Sequence, residues 1–240
     1  MIEHHFKGDN IGVNLLFIND IQSLYKVFND NSGSLLLDLS FTKNTNERYL
    51  TDRSGFKNNA RIIQAKPTNT EAEQRILLGD DCFAEVQNAP GLDNMEQTIT
   101  MMAWVYPNGQ ENGLVDMLTK GDTHVLQMTD NKTLTFFAGG WGRGDCTVKL
   151  PVNWKQQWHH IAGVCNGNAL SVYIDGKLSG TSVVEGPVNL SVANKWQIGR
   201  NEEFPSERVF HGYMDKIKVY AQPLSAPEIE AIFNKEKVDF

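Results

Sequence analysis

The chain has 240 residues, a formal net charge of −7 and 40% hydrophobic residues. That length and apolar content suffice for one large β domain or for a medium domain with an appendage. The acidic balance excludes a nucleic-acid binder, which needs clustered Lys and Arg to neutralise phosphate, and no apolar run reaches the ~20 residues that cross a bilayer.

Residues 1–7 lack the apolar segment of a signal peptide, so no export signal is visible, as would also follow if the chain were cut from a longer polypeptide. Ile21, Leu24, Tyr25 and Phe28 fall at helical spacing behind Asp20. This predicts a short amphipathic helix over 21–28, followed by a polar linker ending at Gly33. Residues 1–33 are therefore expected to be a terminal arm or the tail of a preceding domain, and residues 34–240 a second domain.

From Ser34 the pattern becomes β. Strands are expected at 35–41, 60–64, 75–79, 82–86 and 98–106, with turn-rich loops at 52–59 and 89–93. Further strands follow at 113–119, 124–129, 133–138 and 147–150, and a glycine-rich stretch at 139–144 interrupts the series. The surest segment comes next. Strands at 158–165 and 169–174 flank Asn166-Gly167-Asn168, and Asp175-Gly176 leads into 177–184. Asn-Gly and Asp-Gly supply the positive φ angles that tight hairpins need, so this is an antiparallel meander. Strands at 196–199 and 212–220 complete the set, and Ser225-Ala226-Pro227-Glu228 caps a closing helix with an Ile229, Ile232, Phe233 stripe. Short strands separated by turns, without intervening helices, predict an all-β, two-sheet antiparallel sandwich. The three cysteines, Cys82, Cys146 and Cys165, have no metal-ligand spacing and are expected as free thiols.

The order of motifs carries a resemblance. Thr98 to Pro107, Lys120-Gly121-Asp122, Trp158-His159-His160-Ile161-Ala162-Gly163, Tyr173-Ile174-Asp175-Gly176-Lys177 and Ile198-Gly199-Arg200 come in sequence. Phe210-His211-Gly212-Tyr213-Met214-Asp215 and Pro223-Leu224-Ser225-Ala226-Pro227-Glu228 then follow. Together they resemble the laminin-G-like branch of the concanavalin A-like lectin/glucanase superfamily over about 34–234. Phe136-Phe137-Ala138-Gly139-Gly140-Trp141 and Trp154-Lys155-Gln156-Gln157-Trp158-His159 look like the accessory module of bacterial family 2 β-galactosidases. The resemblance implies a jelly roll with a terminal helix and a place in carbohydrate processing, beside a catalytic domain in a periplasmic or extracellular protein. A laminin-G-type protein-interaction module, or a fragment of a glycoside hydrolase whose catalytic residues lie elsewhere, is the alternative.

The chain alone is expected to be non-catalytic. Glycoside hydrolysis uses two carboxylates about 5–10 Å apart, and on strands this would appear as acids at alternate positions, an array the sequence lacks. His159 and His160 are neighbours on a strand and point to opposite faces, which suits packing rather than a shared ion. Sugar binding is the sharper expectation, because an aromatic face and planar polar groups together hold a saccharide. Trp141 and Arg143 lie among four glycines, Arg200, Asn201 and Glu202 form a polar loop, and His124 is expected nearby. The alternative for Trp141 is an inward fold over the sandwich. The resemblance also implies a structural Ca²⁺, with Asp52 and Asn58 of the first loop and Asp215 of the last strand as its oxygen ligands. Arg53 beside Asp52 offers an ion pair instead.

Overall fold

Alternating apolar residues and positive-φ turns place the strands almost where the sequence predicts. The computed structural model describes residues 34–40, 49–64, 77–93, 95–109 and 111–240, all in the unit Ser34–Phe240. The expected helix at 21–28 lies outside them.

In chain order the strands are β1 Leu35–Leu39, β2 Tyr49–Leu50, β3 Ala60–Ile63, β4 Phe83–Val86, β5 Ile99–Pro107, β6 Leu114–Lys120 and β7 His124–Thr129. They continue as β8 Thr133–Ala138, β9 Cys146–Lys149, β10 His159–Cys165, β11 Ala169–Ile174, β12 Lys177–Val183, β13 Trp196–Ile198 and β14 Gly212–Tyr220. Among the described residues two α-helices join them: α1 Pro90–Asp93, where a turn was expected, and α2 Ala226–Glu236. The two-residue β2 was not foreseen. Of the strand expected at 75–79, the described part keeps one bridge, Leu78 to Gly212.

Among the described residues the strands form two antiparallel sheets. One has six strands in the order β1-β14-β5-β10-β11-β12, and the other eight in the order β2-β3-β4-β13-β6-β7-β8-β9. The β11–β12 hairpin pairs Ile174 with Lys177 across Asp175 and Gly176, whose φ angles of 50° and 75° are those of a type I′ turn.

The core lies between the sheets. Phe136 of β8 packs directly on Gly163 of β10, where a Cβ would stand 2.3 Å from Phe136 Cδ2. Cys82, Cys146 and Cys165 are buried, and none forms a disulfide. Helix α2 covers part of the outer face of the six-stranded sheet, where Ile229 packs with Met102, Ala162, Val164, Tyr173, Tyr220 and Leu224. Its first turn is capped as expected, with the Ser225 N–H and hydroxyl both donating to Glu228 Oε2 at 2.7 Å. At its far end Glu236 accepts from Lys218 Nζ at 2.7 Å and from Trp104 Nε1 at 3.0 Å. These buried, charge-assisted bonds hold the helix to the sheet.

Candidate functional site

The outer face of the eight-stranded sheet is set by register, because residues directly opposite in an antiparallel pair point to the same side. One row runs Glu85, Gln197, Thr119, Val125, Phe137 across β4, β13, β6, β7 and β8. A second runs Asp116, Gln127, Thr135, Thr147 across β6 to β9. Their neighbours in sequence, Leu118, Leu126, Phe136 and Ile198, are the core residues. This face thus carries amides, hydroxyls and two carboxylates together with the core residues Val125 and Phe137, all buried apart from Thr147. Asp116 Oδ1, Gln127 Oε1 and Gln197 Oε1 are buried without a hydrogen-bond partner among the described residues. Such groups need a donor from water or a ligand.

Trp141 stands at one rim. Gly139 and Gly140, with φ of 85° and 86°, turn the chain out of β8 into a single 3₁₀ turn, Trp141–Arg143. The indole lies 4.4 Å from the Phe137 ring and remains 45% exposed. Trp141 is thus a supported, solvent-facing platform. Arg143 is tied to the segment after β12, its Nη1 donating to Glu185 O at 3.2 Å while Glu185 N–H donates to Arg143 O at 3.0 Å.

The 200–208 loop crosses the other side. Arg200 is half-buried with its guanidinium 4.1 Å over the Phe83 ring. Glu202 accepts from Asn194 Nδ2 at 2.8 Å and Lys195 N–H at 3.1 Å. Asn201 is fully buried, where its Nδ2 donates to Asp116 Oδ2 at 3.0 Å and to Gly121 O at 3.3 Å. Arg208 adds ion pairs to Asp122 at 2.9 Å and Asp116 at 3.7 Å. Burial pushes the Asp116 carboxyl up to about 6, against the opposing pull of Asn201 and Arg208.

Two expected ligand contacts are corrected by burial. His124 is wholly enclosed, its Nε2 bonded to Leu190 O at 3.0 Å and its ring beside Trp196, and burial lowers its pKa to about 4. It is a neutral core histidine. Asn201 likewise braces the loop from inside. Both were chosen as polar residues near a loop, and only packing shows which way they point. Gln127, Gln197, Thr119 and Thr135 are buried as well; each sits singly inside an apolar strand, and only register collects them.

Of the expected calcium ligands, Asp52 has no lone pair left for a cation. Asp52 Oδ1 accepts from the Asp38 and Ser54 N–H groups, both at 2.9 Å, and Oδ2 from Ser54 Oγ at 2.7 Å and Asn58 N–H at 2.8 Å. Four donors fill the four lone-pair sites of a carboxylate. Asn58 turns its Nδ2 donor to Leu36 O at 2.9 Å, and Asp215 Oδ1 accepts from Lys216 N–H at 2.7 Å. Arg53 pairs with Asp38 at 3.5 Å rather than with Asp52. Among the described residues no cluster of three His, Cys, Asp or Glu side chains could hold a metal.

The sequence pattern of a laminin-G family described as the concanavalin A-like lectin/glucanases superfamily matches residues 79–230. The chain belongs to this superfamily. No curated protein sequence matches it. Solved structures similar to this superfamily member include the binding domain of botulinum neurotoxin DC in complex with rat synaptotagmin II. That one has 16% identity and a TM-score of 0.65, covering 86% of this chain and 52% of the other. The same toxin's binding domain in complex with SialylT gives 16% identity, a TM-score of 0.64 and coverages of 86% and 52%. The binding domain of Paraclostridial Mosquitocidal Protein 1 gives 14% identity, a TM-score of 0.67 and coverages of 86% and 53%. At these identities the likeness is one of fold, and the chain spans about half the length of the structures it matches. Among the described residues no helix is long and apolar enough to cross a membrane.

Proposed function

We propose that this superfamily member is a non-catalytic glycan-binding module that takes a saccharide on the outer face of its eight-stranded sheet. The observation that carries the reading is Trp141, laid on Phe137 and exposed at the rim of that face. An indole face presents apolar surface to the C–H patch of a sugar ring, whereas Gln127, Gln197 and Thr135 are buried. Arg143 and Arg200 flank that face. The similar structures are toxin binding domains, one in complex with SialylT and one with synaptotagmin II, which favours a binding module.

Catalysis has little support. Glu85 and Asp116 share the outer face, but β13 stands between their strands. Two strand spacings put them about 10 Å apart before any offset along the strands is added, at or beyond the separation that glycosidic carboxylates use. Asp122 lies nearer Asp116, yet both are held by Arg208. On this reading the module serves a carbohydrate-active catalytic domain outside the cell, as the likeness to the family 2 β-galactosidase module implies.

The test is a glycan array probed with the purified chain and its Trp141→Ala variant, with melting temperatures measured for both. Loss of glycan retention at nearly unchanged stability is expected. Retention by the variant, or a large drop in its melting temperature, would remove Trp141 as the platform.

A further inference from the structure

The six-stranded sheet carries an aromatic face that the fold does not use. Tyr213 of β14 stands opposite Tyr106 of β5, and Trp158 precedes β10 beside Tyr106. Ring centroids are 5.8 Å apart for Tyr213–Tyr106 and 5.6 Å for Tyr106–Trp158. Phe240 continues the run, 4.6 Å from Trp158 and 4.4 Å from Trp104. Trp104 is buried, whereas Tyr213, Tyr106, Trp158 and Phe240 are only half-buried. The core lies on the other side of this sheet, and α2 covers the neighbouring part of the same face. The strip begins where the helix stops.

A cleft of about 560 Å³ opens along the strip, bounded by Trp158, Tyr106, Phe240 and the 153–157 turn. That volume lies within the range of small-ligand sites, ~300–1,000 Å³. Its polar lining includes three amides. Asn153, Gln156 and Gln157 are exposed side-chain amides. Asn153 Nδ2 donates to Gln157 Oε1 at 2.7 Å, which uses one atom of each amide and orients both. Three ionisable groups also line it: His159 Nδ1 meets Asp175 Oδ2 at 2.9 Å, and Lys237 Nζ donates to Asn234 Oδ1 at 2.8 Å. Aromatic faces beside uncharged, planar, two-way hydrogen-bonding groups match a ring with an apolar C–H face and equatorial hydroxyls.

We propose that this cleft is a second saccharide site, with a sugar ring stacked on Trp158 and Tyr106 and its hydroxyls held by Asn153, Gln156 and Gln157. It shares a ligand class with the Trp141 platform but lies on the outer face of the other sheet. The two sites bind independently and let one module engage two chains, or two stretches of one chain.

An array of immobilised neutral and acidic oligosaccharides, probed with the chain and with Trp158→Ala, Gln157→Ala and Trp141→Ala, separates the possibilities. Expected is at least one glycan whose binding falls about tenfold or more in Trp158→Ala and Gln157→Ala but persists in Trp141→Ala. Gln157 is exposed, so its variant folds and isolates the contact even where Trp158→Ala loses stability. Equal binding of every glycan by the chain and by Gln157→Ala and Trp158→Ala overturns the second site, whereas loss confined to Trp141→Ala leaves the first site standing alone. Binding of no glycan by the unaltered chain overturns both.

Discussion

His160 gives a test of the fold's acid response. Its ring is completely buried between Trp104, 5.5 Å away, and Phe233, 6.0 Å away, and neither ring nitrogen has a hydrogen-bond partner among the described residues. Burial lowers its pKa from 6.5 to about 3, with Lys218 pulling the same way and Asp175 opposing. A histidine depressed in this manner contributes stability that is full above its unfolded pKa and is lost as pH falls through the interval down to the folded value. Between about pH 7.5 and pH 5 the unfolded state gains a proton that the folded state refuses, a loss of about 2 kcal/mol. For a domain of this size that is a fall of about 4–8 °C in melting temperature. His124, lowered to about 4, acts in the same direction. Asp116, raised to about 6, acts in the opposite one, its stability present at low pH and lost as pH rises through that value. The measurement is therefore a difference. His160→Phe should flatten the pH dependence of melting by about 2 kcal/mol relative to the unaltered chain. At neutral pH its stability changes little, because relief of an unpaired ring nitrogen, about 1–3 kcal/mol, offsets a similar overpacking cost. Calorimetric scans at both pH values decide it; parallel pH profiles would falsify the buried, neutral assignment.

Other perturbations probe the framework. Gly163→Ala places a methyl 2.3 Å from Phe136 and should cost about 1–3 kcal/mol, with part recovered on adding Phe136→Leu; additive denaturation midpoints would argue against that contact. Asp93→Ala strips the buried Lys120 ammonium of its 2.7 Å partner and should cost about 3–5 kcal/mol. Lys120→Met should cost less, because it removes the enclosed charge and leaves a carboxylate that is 21% exposed. Asp52→Ala removes the acceptor of four donors and should lower stability by at least about 2 kcal/mol. Chelator should leave the melting temperature of the unaltered chain where it is, and a chelator-induced drop would reinstate a cation at Asp52.

Local chemistry made most of the architecture legible in advance. Asn166-Gly167 and Asp175-Gly176 specify reversals through their own φ preferences, alternating residues such as Leu170, Val172 and Ile174 mark an inner face, and Ser225 with Glu228 caps a helix within one turn. Each signal acts over a few residues, so the chain alone determines it, and the motif order was enough to indicate the superfamily. The exposure of Trp141 was legible for the same reason, since it is an aromatic residue among glycines that hold a loop open. What only the tertiary structure decided is which side chains share a surface. His124 and Asn201 look like loop-side polar residues, and the packing of distant segments encloses them. Gln127 and Gln197 are single polar residues in separate strands until antiparallel register sets them on one face. Tyr213, Tyr106 and Trp158 come from stretches tens of residues apart, each readable as ordinary core packing. Strand order makes them neighbours, and the length of α2 leaves them uncovered.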